Sequence, residues 1–442
     1  MKKVLKTLLT YILVFIILIG IYMGTMTLSS LIPSSLMEDN VRKSSETLLK
    51  DGEKVTFDLK YKKSYIFTFT DALMINTAYS VDSKHPVDSF LLARKNYIPN
   101  QTKVVNIDSQ YNLGANEKYR DKYGNLFQTR ELYGLMHGDN IEDSYEYARY
   151  WHGYLTILRP LLALFDYSAI RIVLFIAVVI SIIIMFILIC KKINVVSAFA
   201  YVIGLLLVNI LVTTKSINEI LIFLVAIIST IILLIRNDKI KNIGIFFFIV
   251  GSVSSFIDLL TAPVVTLGLT AITYFLLLQS REEKIDLKKY ILDMLTIGIS
   301  WALGYAITWG FKWLIVQVFF DRPIITQAIN QVTYRSNLKR SVFNVIVENF
   351  KFLSNPTIIF TGSLCIVYLI IMTIKNAKQQ INIGETLKRC VPYFIIFTFP
   401  IIWIFATKQH SLIHAFFVNR IFVVSIISLF IISTKIFEGV KK

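Results

Sequence analysis

Cysteine is scarce. The chain has three, Cys190, Cys365 and Cys390, all in or beside apolar runs. No disulfide framework is therefore available to the long polar stretch 29–170, and each cysteine reads as a small buried apolar residue. A Walker-type glycine-rich loop is also missing, which leaves ATP-driven transport without support. The sequence shows no internal repeat and no low-complexity tract. Charge is absent from stretch after stretch of about 20 residues, and a globular chain does not leave such runs repeatedly.

What is present is apolarity. Of the 442 residues, 55% are hydrophobic. Apolar runs at about 8–28, 171–190, 194–214, 217–235, 242–258, 262–279, 291–312, 356–374, 391–407 and 412–433 predict an all-α polytopic membrane protein of about ten spans. The start, Met1-Lys-Lys-Val-Leu-Lys6, is like the basic region of a signal peptide, but the apolar core behind it is too long and no small-x-small cleavage site follows, so it reads as a retained anchor over 1–28.

The net charge of +17 reads as topology rather than as nucleic-acid binding. With ten spans, Lys2, Lys3 and Lys6, Lys191 and Lys192, Arg236, Lys239 and Lys241, Arg281, Lys284, Lys288 and Lys289, Lys375, Lys378, Lys388 and Arg389, and Lys435, Lys441 and Lys442 all fall on one side; the opposite short loops hold only Lys215 and Lys408. The expectation is a multi-pass protein of the cell membrane with both termini cytoplasmic.

That topology exports two long loops. The first, 29–170, is polar and tyrosine-rich; it predicts a mixed α/β cap with strands at Lys54–Lys60 and Ser64–Thr70 and helices at Met37–Leu49 and Asp143–Phe165. The second, 313–355, belongs to the transmembrane domain 171–442 and carries Arg322, Arg335, Lys339, Arg340 and Lys351 against Asp321 and Glu348. It reads either as an anionic-phosphate site or as an amphipathic helix on anionic lipid.

Four constellations carry candidate chemistry. Glu38-Asp39, just after the first run, reads as a general base or cation site, or as the negative first turn of a helix. Tyr145–Tyr154 contributes Arg149, Tyr150, Trp151 and His152, followed by Arg159; it reads as a platform for a sugar and a phosphate, or as an interfacial aromatic belt. Asp258 places a carboxylate at the outer end of a span, a functional candidate by default, although it also fits as the cap of the next helix. His410 and His414 share a helix face but are too few for a metal claim. Arg420, inside the last span, needs an anionic partner, either a lipid phosphate or an acid such as Asp258. On the ten-span topology Asp39, His152, Asp258, His410 and His414 all reach the outer surface.

In this arrangement the chain resembles the GT-C superfamily of membrane glycosyltransferases. The resemblance lies in Pro33-Ser-Ser-Leu-Met-Glu38-Asp39-Asn after the first span, the large exported loop behind it, and the Asp258-Leu-Leu-Thr-Ala-Pro and His410-Ser-Leu-Ile-His414-Ala-Phe stretches. It implies transfer of a sugar from a polyprenyl-phosphate carrier to a glycan, teichoic-acid or lipid acceptor at the outer face. Asp39 would be the general base with Glu38 beside it, Arg420, Arg149 or the second loop would hold the leaving phosphate, Trp151 and Tyr150 would stack the sugar, and Asp258 and His410 would line the site. A divalent cation, Mg or Mn, is compatible with this but not required. The rival expectations are a flippase for a lipid-linked precursor and a non-enzymatic subunit of an envelope-synthesis complex.

Overall fold

A computed structural model describes residues 2–52, 54–59, 62–97, 128–138, 143–281, 286–337, 340–353 and 383–438. Among them six helices are long and apolar enough to cross a bilayer: Leu5–Ser30, Tyr167–Lys192, Ile217–Arg236, Leu287–Phe320, Ile383–Ala406 and Ala415–Ile436. The run at 356–374 lies outside the described residues.

The chain opens with α1 (Lys2–Ser30), a short 3-10 turn at Ser34–Met37, and α2 (Glu38–Asp51). The cap continues through β1 (Lys54–Leu59), β2 (Lys62–Phe67), α3 (Phe69–Tyr79), α4 (Pro86–Leu92), β3 (Arg94–Tyr97), α5 (Gln128–Met136) and β4 (Asp143–Glu146). The strands form two antiparallel pairs, β1 with β2 (Lys54 opposite Phe67) and β3 with β4 (Arg94 opposite Glu146). The expected helix Met37–Leu49 is α2, and the strand Lys54–Lys60 is β1.

Two cap expectations are corrected. Ser64–Thr70 does not stay extended, because the chain turns into α3 at Phe69 and thereby carries Asp71 to the membrane domain. Asp143–Phe165 is not one helix. It is β4, an irregular turn over 147–154, and α6 (Leu155–Leu164). The turn is held by tertiary contact: Gly153 N donates to Phe256 O at 2.8 Å, and a Cβ at Gly153 would lie 2.4 Å from that oxygen.

The membrane domain runs through α7 (Tyr167–Lys192), α8 (Val195–Leu207), α9 (Ile210–Thr213), α10 (Ile217–Arg236), α11 (Ile243–Ile257), α12 (Val264–Gln279) and α13 (Leu287–Phe320). At 1.5 Å per residue α8, α11 and α12 are only about 20–24 Å long, short of a hydrocarbon core of about 30 Å. In the expected spans 194–214, 242–258 and 262–279 the regular helix is thus shorter than the hydrocarbon core, while each stretch keeps its apolar character. α13 has 34 residues. It runs on past the expected end at 312, so the second loop begins at Asp321 and holds α14 (Ile324–Ser336) and α15 (Val342–Leu353).

The remaining helices are broken. α16 (Ile383–Phe397) and α17 (Phe399–Ala406) meet at Thr398, beside Pro400. α18 (Lys408–Ile413), α19 (Ala415–Val418) and a 3-10 turn at Asn419–Phe422 precede α20 (Val423–Glu438), so Arg420 sits on a turn rather than within a regular span.

Among the described residues α11 packs closely on α13. Gly251 and Gly304 face each other's helix: a Cβ at Gly251 would lie 2.1 Å from Trp301 O, and one at Gly304 would lie 2.1 Å from Phe248 O. Small residues let backbones approach in this way. Gly304→Ala is expected to force the two helices apart and to cost roughly 1–3 kcal/mol, read as a lower unfolding temperature in detergent.

Candidate functional site

The site is assembled at the cap end of the bundle, where α11 stops. The connection 258–263 leaves the helix as an Asx turn: Thr261 N donates to Asp258 Oδ2 at 2.8 Å. Leu260 adopts a left-handed backbone (φ 69°), a strained conformation for a residue with a bulky side chain. The strain is held by His410, whose Nε2 lies 2.8 Å from Leu260 O. If that nitrogen carries the proton, Nδ1 is left to accept from Arg335 Nη1, 3.2 Å away. One imidazole thus ties the Asp258 turn to α14, and burial keeps its pKa well below the ordinary value.

Asp258 is buried, and its Oδ1 has no hydrogen-bond partner. Burial raises its pKa to about 7, although hydrogen bonds from Thr261 and its neighbours pull the other way. Tyr305 of α13 stands within electrostatic reach of Asp258, Tyr150 and Arg335 together. Its ring stacks on Trp301 at 5.3 Å and meets Trp309 and Trp403 edge-on. Next to it is a tight recess of about 10 Å3, room for a single water, lined by Arg149, Tyr150, Trp309, Trp313, Gln331 and Arg335. Tyr150 stacks on Trp309 at 5.5 Å, and the indole N–H groups of Trp309 and Trp313 both donate to Arg149 O.

Four buried polar atoms around this cluster lack a hydrogen-bond partner: Asp258 Oδ1, Arg149 Nη2, His414 Nδ1 and Trp403 Nε1. Burial pushes His414 down to about 3, so its neutral ring is available to accept or donate. Buried polar atoms are ordinarily paired, and each exception calls for an explanation. Here two nitrogen donors, a carboxylate oxygen and an imidazole nitrogen are set among aromatic faces. That combination suits a polyhydroxylated or phosphorylated ligand.

The structure therefore brings together Asp258, His410, His414, Arg149 and Tyr150 from the sequence reading. It adds Tyr305, Trp309 and Trp403, which the sequence does not single out, and it picks Arg335 out of the basic loop.

Other candidates have different surroundings. Asp39 is exposed on the first turn of α2, and Glu38 pairs with Arg42 at 3.0 Å on the surface. α2 packs on α3, α5, α6 and α7, away from the cluster. Trp151 is fully buried beside Tyr22 and Phe256, with its indole donating to Thr308 O at 2.7 Å. Its ring is a packing element, which corrects the stacking expectation. His152 (φ 56°) is also a core group: its ring nitrogens contact Tyr154 Oη at 2.9 Å and Tyr147 O at 2.7 Å, and burial holds it neutral, down to about 3. The guanidinium of Arg159 is occupied by Ser29 O, Ala78 O and Ile32 O, so it closes the ends of α1 and α3 instead of meeting a phosphate.

Arg420 does find an acid, but it is Glu219 on the first turn of α10. Glu219 thus takes the place of the expected acid, Asp258. Asn218, next to Glu219, accepts from Thr261 Oγ1 at 3.3 Å, so this pair and the Asp258 turn share one polar layer. Asp71 completes the layer. It accepts from Ile217 N, Asn218 N, Ser216 Oγ and Tyr167 Oη, anchoring the cap to the positive end of α10. Glu219, Asp71 and the buried Lys312, which donates to Leu91 O at 2.6 Å, were not singled out by sequence. Acids and a lysine bordering apolar runs were the only signal for them.

Among the described residues no three His, Cys, Asp or Glu side chains converge to hold a metal ion. The Mg or Mn allowed by the resemblance has no donor set there. Comparison with family models, curated proteins and solved structures gives no match.

Proposed function

We propose that this protein is a membrane glycosyltransferase that takes a sugar from a polyprenyl-phosphate carrier, at the membrane face bearing the cap, and passes it to a glycan or lipid acceptor of the cell envelope. The reading is supported above all by the buried carboxylate of Asp258, whose Oδ1 lacks a partner, and by Tyr305, which lies within electrostatic reach of both Asp258 and Arg335. The ten-span topology with cytoplasmic termini and the GT-C-like architecture belong to the same proposal.

In this mechanism Asp258, as the carboxylate, takes the proton of an acceptor hydroxyl. The acceptor oxygen bonds to the anomeric carbon as the bond from that carbon to the phosphate oxygen breaks. The lipid phosphate leaves with both bonding electrons, and Arg149 and Arg335 neutralise its charge. Tyr150 and Trp309 present the aromatic surface beside the sugar. The base role thus passes from Asp39 to Asp258, because a base works best with a pKa near the operating pH and within a site that excludes water.

Transfer of labelled sugar by the protein reconstituted in vesicles, offered a panel of polyprenyl-phosphate sugars, tests the reading. Product formation supports it. Movement of the lipid-linked sugar between leaflets without product would identify a flippase, and neither activity would leave a scaffold. A pH series is a second check. A base with a pKa of about 7 predicts transfer that rises tenfold per pH unit below that value and levels off above it. The same shift has the opposite sign for stability. The raised pKa means that folded Asp258 keeps its proton after the unfolded chain has lost it, so its contribution is complete below about pH 4 and is lost as pH rises through about 7.

A further inference from the structure

The surface of α15 is divided into three lengthwise stripes. Val345, Asn349 and Leu353, spaced four residues apart, are buried. Asn344, Glu348 and Lys351 form a polar stripe; Asn344 and Lys351 are exposed, and Lys351 Nζ lies 2.7 Å from Glu348 Oε1. The third stripe is apolar and consists of Phe343, Ile346 and Phe350, with Phe343 71% exposed and Phe350 49%. At about 100° per residue the stripes are centred roughly a third of a turn apart. A surface helix of a water-soluble protein needs one apolar stripe, for its core. α15 has a second, and it faces away from the protein.

The buried stripe places α15 within the fold. The helix packs on α17, α18, α19 and the 3-10 turn Asn419–Phe422. Asn349 Nδ2 donates to Ser411 O at 2.9 Å, one residue from His410. α17 is the last part of the span Ile383–Ala406, and its Ile402 and Phe405 are more than half exposed. Ile413, at the end of α18, is half exposed as well. α15 therefore lies at the depth where this span ends, and its apolar stripe continues the exposed apolar surface of α17 and α18.

The stripes also fix the direction of the axis. A helix standing upright through a membrane interface would be apolar at one end and polar at the other. In α15 Phe343 and Phe350 are seven residues apart, about 10 Å along the axis, and so are Asn344 and Lys351. Both characters thus run the length of the helix. An axis parallel to the membrane plane puts one stripe in lipid and the other in water throughout.

We propose that α15 lies in the plane of the membrane interface, on the face bearing the cap, with Phe343 and Phe350 sunk into the acyl boundary of that leaflet and Asn344 and Lys351 turned to water. The partner of this surface is the bilayer itself. Of the two readings of the basic loop, α15 takes the lipid one, while Arg335 on α14 stays with His410. The surface is separate from the Asp258 turn, and its position does not depend on the transfer reaction.

The test is a nitroxide depth measurement on the full chain in vesicles of phosphatidylcholine and phosphatidylglycerol. The three native cysteines are replaced by alanine, and one label at a time is attached at Phe343→Cys, Phe350→Cys, Asn344→Cys or Lys351→Cys. Collisions with oxygen, which concentrates in lipid, are compared with collisions with a water-soluble nickel chelate. The labels on Phe343→Cys and Phe350→Cys are expected at the same depth, about 5–10 Å below the headgroups, and those on Asn344→Cys and Lys351→Cys in water. Phe350 also packs on Phe422 at 4.5 Å, so Ile346→Cys is the second lipid-facing position if Phe350→Cys fails to fold. Ready access of the nickel chelate to both phenylalanine positions would overturn the proposal, because the stripe would then lie in water. A depth difference of about 10 Å between them would also overturn it, because the helix would stand upright. So would shielding from both reagents, which would show that a second copy or the chain's own 354–382 segment covers the stripe.

Discussion

Asp258→Asn is expected to lower sugar transfer by roughly 10²–10⁴-fold at unchanged protein level, the range in which a general base contributes, while Asp39→Asn keeps transfer within a few-fold of the natural protein. The two carboxylates differ in surroundings rather than in chemistry. Asp39 lies exposed on the first turn of α2, where a negative charge favours the helix with or without a substrate. Asp258 is buried, is held on one oxygen by its own turn, leaves the other unpaired, and lies within electrostatic reach of Tyr305. Asparagine keeps the Asx turn to Thr261 N through its amide oxygen, so the substitution removes the base while preserving the turn. The assay is transfer of labelled sugar in vesicles at matched expression, with the unfolding temperature as control. The opposite pattern, with Asp39→Asn inactive and Asp258→Asn active, would return the base role to α2.

The largest stability effect is expected at the Glu219–Arg420 pair. Both side chains are almost completely buried, 2% and 4% exposed. Arg420→Met would leave Glu219 without its counter-ion in a low-dielectric setting, and breaking a buried pair from one side costs roughly 3–5 kcal/mol. Replacing both partners is a different matter. Glu219→Leu with Arg420→Met removes two desolvated charges at once, and such exchanges are often neutral or stabilising. Thermal unfolding in detergent should therefore show a large loss for the single variant and recovery for the double. If the single variant were as stable as the natural protein, the pair would contribute no stability. If the double were stable but inactive, the pair would act on the site through Asn218 and Thr261 instead.

The candidate site was only partly legible in the chain, and the reason differs between residues. Asp258 and His410 stood out because a polar group bordering an apolar run is costly unless it has a partner or a task. Trp151, His152 and Arg159 stood out for the same reason, yet they turn inward. Composition reports that a residue is polar or aromatic; it does not report whether its hydrogen bonds end on a ligand or on the ends of α1 and α3. Tyr305 was invisible, since one tyrosine in a long apolar helix carries no mark. Arg335 was one cation among several until His410 was found beside it.

Span by span the same division holds. Runs such as 171–190 and 217–235 translate directly into helices, because burying backbone polar groups in lipid leaves a helix as the only local solution. The run 194–214 does not, because its helix ends at Leu207 and a left-handed Asn209 starts a new turn. The expected helix Asp143–Phe165 fails for a tertiary reason, the seating of Gly153 against Phe256 O.

By itself the sequence determined a polytopic all-α membrane chain, a polar stretch after the first helix and a strong excess of basic residues between the runs, since these depend on local apolarity and charge summed over many residues. Only the tertiary structure decided which polar groups meet. Glu219 chose Arg420, Asp71 chose the start of α10, and Asp258 was left with an unpaired oxygen, because pairing in a low-dielectric interior depends on distances of a few ångströms between segments far apart in the chain.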